Sequence, residues 1–114
     1  MEHLTYHLKD VRKMTVFLFF EHDVPKGKQA QKEYRQWVVD KLIPINQKMT
    51  KKGMKSTGLA DNTGHIIGIW EFKDMAAFSE LWEDDEYHEA MRGYYSVADN
   101  INIRLCRPSV VVPP

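Results

Sequence analysis

The chain has little of what most function classes depend on. Cys106 is its single cysteine, which excludes an intramolecular disulfide and any multi-cysteine zinc knuckle and fits a reducing, cytoplasmic setting. Its 16 basic residues are matched by 16 acidic ones, so no overall field draws nucleic acid or an anionic membrane to the surface. The longest apolar run, Thr15 to Phe20, falls far short of the roughly twenty residues of a membrane helix. Met1 to Lys13 has neither the apolar core nor the small-residue cleavage site of a signal peptide. There is no internal repeat, no Ser-His-Asp triad and no paired carboxylates. The glycines at 53 and 58 are not followed by the Lys-Ser/Thr that a phosphate loop requires. His3 and His7 share a helical turn, but a loose N-terminus supplies no rigid third ligand. Neither a metal nor a cofactor is expected.

What is present is enough for one domain, since 114 residues fit a single core and not two. We place that domain at 14–107, with an N-terminal extension at 1–13, where Leu4, Leu8 and Val11 allow a helical turn or two, and a C-terminal tail at 108–114. Met14 to His22 is β-branched and aromatic, and Val24-Pro25-Lys26-Gly27 stops it, so it reads as a strand. From Lys28 to Lys52, Ala30, Tyr34, Trp37, Val38, Leu42, Ile45 and Met49 recur at intervals of three and four, the stripe of an amphipathic helix. Pro44 lacks the amide that would bond the carbonyl of Asp40, which predicts a kink or break. Gly53 after two lysines predicts the helix end.

Met54 to Ala60 and His65 to Phe72 read as a hairpin around the turn Asp61-Asn62-Thr63-Gly64. Asp74 is placed to cap a helix running to Trp82, the acids Glu83 to Glu86 interrupt it, and a second piece covers Tyr87 to Tyr95. Ile101 to Arg107 alternates as a half-buried strand does. The order is βαββαβ, a ferredoxin-like α+β fold with a four-stranded antiparallel sheet. Helices then cover one face. In both central strands the two alternating sets are apolar, whereas a solvated face would be polar. A second sheet, most simply that of a second copy, is expected against the open face.

On these residues the chain resembles the dimeric α/β-barrel superfamily, which includes antibiotic-biosynthesis-type monooxygenases, stress-responsive barrel proteins and the NIPSNAP-like and EthD-like groups. The resemblance spans Met14 to Arg107. It is most specific at Gly68-Ile69-Trp70-Glu71-Phe72-Lys73-Asp74-Met75-Ala76-Ala77-Phe78 and continues in Trp82-Glu83-Asp84-Asp85-Glu86-Tyr87-His88. It implies two sheets packed face to face in a homodimer, with any chemistry in the cavity between sheet and helices of each protomer. The haem-degrading branch carries an asparagine on the first strand, a tryptophan on the third, a role Trp70 could fill, and a histidine on the second helix. This chain has no asparagine in Met14 to His22 and no histidine in Asp74 to Trp82.

There are two functional expectations. In the first, each protomer binds a small apolar or aromatic molecule, with Phe20, Trp70, Trp82 and Asn102 as contacts. It extends to a cofactor-independent oxygenase or isomerase if His22, as general base, and Arg104, as anchor for a carboxylate or enolate, converge with Trp70 on one cavity. The plain alternatives are a hydrogen-bonded strand-end histidine and an interface ion pair. Glu21 and Asp23, if close, would favour a protonated His22. His65 and His88 read as surface residues. The second function is a non-catalytic association module, whose barrel would be filled and without a cavity.

Overall fold

The structure, a computed structural model, describes residues 14–109. The helical turn read from Leu4, Leu8 and Val11, the His3–His7 spacing and the end of the tail lie outside these residues.

Strand β1, Val16–Asp23, ends where Pro25 withdraws an amide and Gly27 takes a φ of 100°, a left-handed conformation that glycine adopts at little cost. Helix α1, Lys28–Trp37, then begins. The regular α-helix is interrupted just ahead of Pro44 while the chain stays helical. The chain widens into a π turn over Val38–Leu42, in which the Ile43 amide donates to the Val38 carbonyl, and helix α2, Ile43–Lys51, resumes with the proline in its first turn. A π turn ahead of a proline is a way to relieve the clash and the lost amide that the ring imposes on an uninterrupted α-helix. At the C-terminus, Gly53 donates to Thr50 at 3.0 Å and Met54 to Met49 at 3.1 Å. That pair of bonds is a Schellman cap, with Gly53 left-handed at φ 107°.

Strands β2, Lys55–Ala60, and β3, His65–Phe72, form the expected hairpin. In its turn the Asp61 carboxylate accepts from the Thr63 amide at 2.8 Å. Helix α3, Met75–Trp82, is capped by Asp74, whose carboxylate accepts from Ala77 at 2.8 Å. Asp84 caps helix α4, Asp85–Val97, in the same way through Glu86, so the acidic stretch interrupts the helical layer by capping its second half. Strand β4, Asp99–Cys106, closes a sheet of order β2-β3-β1-β4 in which the paired strands are antiparallel. This is the ferredoxin-like arrangement.

Alternation along β1 sorts the molecule into two faces. Val16, Leu18, Phe20 and His22 are buried under the helices, and their β3 partners are Phe72, Trp70, Gly68 and Ile66. Phe17, Phe19, Glu21 and Asp23 point to the open face, opposite Glu71, Ile69, Ile67 and His65. The core includes Trp37, Ile45 and Met49 from the first helical layer and Leu81, Tyr87, Ala90, Met91 and Tyr94 from the second. In the single chain Phe17, Phe19, Ile67 and Ile69 are only half-buried. Within the chain itself, the helices cover one face of the sheet, and the expected cover of the other face lies outside the single chain.

Candidate functional site

Above Phe20 and His22 the helices do not close completely on the sheet. A cavity of about 90 Å³ remains, floored by Phe20, His22, Ile66, Gly68 and Trp70 and roofed by Tyr34, Trp37, Leu42, Met91 and Tyr94. It exists because Gly68, between Ile66 and Trp70, has no side chain, so the floor is hollow opposite Phe20. A Cβ built there would meet nothing nearer than Phe20 at 3.7 Å. The π turn brings Leu42 to the same rim. Aromatic rings make most of the wall: Phe20 meets Trp70 edge-on at 4.8 Å, and Trp37 stacks on Tyr94 at 5.1 Å with 9° between planes. The indole of Trp37 is fixed from its other end, since Nε1 donates to the Ala90 carbonyl at 2.9 Å.

One polar group lies in this apolar setting. His22 is 4% exposed, and each ring nitrogen is taken by a phenol: Nδ1 is 2.7 Å from the Tyr94 hydroxyl and Nε2 is 2.7 Å from that of Tyr34. The Tyr94 hydroxyl is also 3.4 Å from the Glu21 carbonyl. Burial, aided by the charge of His65, holds the His22 pKa below the usual histidine value, and Asp23 opposes this only in part. Burial likewise raises the Tyr34 and Tyr94 phenols. At neutral pH the three groups are therefore uncharged. A ligand cannot reach either His22 nitrogen directly without displacing a phenol, so acid–base work by this imidazole has to pass through a hydroxyl.

Asp23 supplies only part of the expected support for a protonated His22, because it faces the other way. Its carboxylate pairs with His65 Nδ1 at 2.8 Å and accepts from Asn100 at 2.8 Å, and His65 is raised accordingly. Asn100, at φ 53°, belongs to a bulge in which the β1–β4 register slips between Glu21 and Asp23. The irregularity thus sits beside His22, where it interrupts the β1–β4 ladder.

The residues picked from the sequence divide by strand parity. His22, Phe20 and Trp70 meet at the cavity. Arg104 lies opposite Phe19 and Asn102 opposite Glu21, so both are on the open face with the sheet between them and His22. Arg104 pairs there with Glu21 at 3.6 Å. The convergence of His22, Trp70 and Arg104 is therefore not found: the alternation that buries His22 turns Arg104 away. Trp82 is 55% exposed, at the end of α3, against Phe78, Tyr87 and His88, and it is not part of the cavity. Sequence reasoning misses Tyr34, Tyr94 and Gly68 as site residues. The one signal for the two tyrosines is a phenol, in place of phenylalanine, on an otherwise apolar helical stripe.

Two other hollows are lined differently. One of about 210 Å³ between α2 and α3 mixes Lys52, Lys73, Asp74 and Glu80, and one of about 440 Å³ runs over Glu33, Asp40, Lys41 and Arg92. Both present charges that pair on the surface, such as Lys41 with Glu89, and neither encloses a buried polar group. Among the described residues no three His, Cys, Asp or Glu are grouped to hold a metal, and no helix is long and apolar enough to cross a membrane.

The fold and the interior cavity define a ferredoxin-like α+β domain with a small hollow under its helices. The chain belongs to the family described as "Domain of unknown function (DUF1330)", which it matches over residues 15–105. No curated protein matches it significantly. Among solved structures it is similar to a conserved protein from Methanosarcina mazei, at 11% identity and a TM-score of 0.66 over 89% of this chain and 99% of that one. An uncharacterized NIPSNAP-like domain protein from Burkholderia xenovorans has 13% identity and a TM-score of 0.56 over 90% and 91%. An ethyl tert-butyl ether D (EthD) family protein from Bacillus halodurans has 16% identity and a TM-score of 0.59 over 84% and 100%. At these identities the likeness is one of fold. It includes two of the groups whose motifs the segment from Gly68 to Phe78 resembles.

Proposed function

We propose that this protein binds a small apolar or aromatic molecule in the cavity under α1, the π turn and α4. The observation that carries the reading is a space of about 90 Å³ walled by aromatic rings, with no Asp, Glu, Lys or Arg among its lining residues. Sites that enclose drug-sized ligands are typically about 300–1,000 Å³, so this one suits a single small ring or the end of a longer molecule. A fully filled association module would leave no such space. Binding is also favoured over oxygenase or isomerase chemistry, because both His22 nitrogens are engaged and Arg104 is on the opposite face.

The test is an NMR titration with cyclopentane, following the Trp37 and Trp70 indole signals. Saturable shifts are expected in the native protein and in Arg104→Gln. Gly68→Ala, whose new methyl has room against Phe20 but occupies the hollow, is expected to weaken binding several-fold while remaining folded. Absence of saturable shifts, or full binding by Gly68→Ala, overturns the reading.

The open face supports a second copy of the chain as its cover. Phe17, Phe19, Ile67 and Ile69 form a half-buried apolar centre. Around it Arg104 faces Glu21 and Lys55 faces Glu71, charges that balance when the face meets itself about a two-fold axis.

A further inference from the structure

Resting on the binding reading above, we infer that the Tyr34 hydroxyl is the group that meets the polar atom of the ligand, and that the chain Tyr34–His22–Tyr94 lets this hydroxyl either donate or accept. The ligands it fits are small neutral carbonyl, hydroxyl or N–H compounds.

Proton counting supports this. Three groups in a row carry three mobile protons: one on each phenol and one on the neutral imidazole. Two arrangements satisfy the chain. In one, Tyr94 donates to Nδ1, Nε2–H donates to the Tyr34 oxygen, and the Tyr34 proton is left to donate to a ligand carbonyl. In the other, Tyr34 donates to Nε2, Nδ1–H donates to the Tyr94 oxygen, and Tyr94 donates to the Glu21 carbonyl, 3.4 Å away. The Tyr34 oxygen then accepts from a ligand O–H or N–H. The two arrangements differ in which imidazole nitrogen carries its proton and in the direction the two hydroxyls point, while every group stays neutral. The 2.7 Å separations on both sides of His22 are short enough for either.

Tyr34 is the contact because it is the partly exposed member of the chain: His22 and Tyr94 are buried at 4% and 2% exposure, and both His22 nitrogens are spent on phenols. Charge selectivity follows from the same residues. With no ionised side chain in the lining, a carboxylate or an ammonium entering the cavity would lose its hydration without gaining a counter-charge. His22 is thus a positioning residue. It sets the polarity of Tyr34 and offers the ligand no free ring nitrogen.

The experiment uses the whole protein with ¹⁵N-labelled histidine and three five-membered rings of similar size: cyclopentane, cyclopentanone as acceptor and pyrrole as donor, with cyclopentylammonium as the charged control. Ring-nitrogen shifts are expected to report the proton on Nε2 with cyclopentanone and on Nδ1 with pyrrole. Tyr34→Phe is expected to lose about five- to tenfold in affinity for both polar rings relative to its own affinity for cyclopentane, the worth of one neutral hydrogen bond. The same tautomer with both polar probes, or equal loss for all three rings in Tyr34→Phe, overturns this inference while cyclopentane binding leaves the cavity reading standing. Cyclopentylammonium binding as tightly as cyclopentanone also overturns it. If cyclopentane does not bind to the native protein, both readings fall together.

Discussion

Gly93 on α4 is where the architecture of the cavity can be tested most sharply. A Cβ at this position would lie 2.7 Å from Trp37 Cδ1 and 2.8 Å from Nε1, closer than side chains tolerate. The indole cannot step aside freely, because it is stacked on Tyr94 and bonded to the Ala90 carbonyl. Gly93→Ala must therefore push the ring or lift α4. Overpacking of this kind costs about 1–3 kcal/mol, and losing the buried indole bond adds about 1–3 kcal/mol. The better helix propensity of alanine offsets about 1 kcal/mol. The net is a destabilisation of about 1–5 kcal/mol, which at roughly 4 °C per kcal/mol for a domain of this size lowers Tm by at least about 4 °C. Gly58→Ala, with nothing within 4 Å of its Cβ, is the control and should leave Tm nearly unchanged. Thermal and urea unfolding followed by tryptophan fluorescence reads the effect. Should Gly93→Ala match or exceed native stability with an unshifted emission maximum, the account of Trp37 as a pinned ring is refuted.

Buried His22 and ion-paired His65 predict opposite pH responses. The folded-state pKa of His22 is depressed, so its contribution is lost as pH falls below the unfolded value of about 6.5. That of His65 is raised by Asp23, so its contribution is present below about 6.5 and lost as pH rises through the folded value. The native protein carries both opposing contributions between about pH 7.5 and 5, whereas His65→Gln keeps only that of His22 and should lose stability steadily on acidification. A flat profile for that variant would contradict the burial argument for His22. For the open face, light scattering at micromolar concentration should return twice the monomer mass, and Phe19→Lys, which puts a second cation beside Arg104, should return the monomer. A monomeric native protein removes the second copy as the cover of this face.

Several features were legible because they depend on neighbours in sequence. Strand β3 is found at His65–Phe72, where β-branched residues and the turn Asp61 to Gly64 place it. Asp74 caps α3 and Gly53 ends α2 because a carboxylate and a left-handed glycine solve local hydrogen-bond problems that any helix end poses. At Pro44 the interruption was legible and its form was not: a helix can answer a proline by widening one turn before it, and the sequence pattern does not distinguish that from a kink. At the site, the alternation of β1 puts His22 on the same face as Phe20. It could not show that the grouped set excludes Arg104 until the β1–β4 register put Arg104 opposite Phe19.

By itself, then, the sequence determined the order of elements and the helix ends at Gly53 and Asp74, since these follow from periods of about 2 and 3.6 residues and from the backbone demands of Gly and Asp. Tertiary structure decided what the interior can do. Tyr34 and Tyr94 lie 12 and 72 residues from His22, and only the packing of α1 and α4 on β1 brings two phenols to the two nitrogens of one imidazole. The cavity beside them has the same origin: Gly68 is a gap in a strand until helices roof it, and the hollow is a property of the packing.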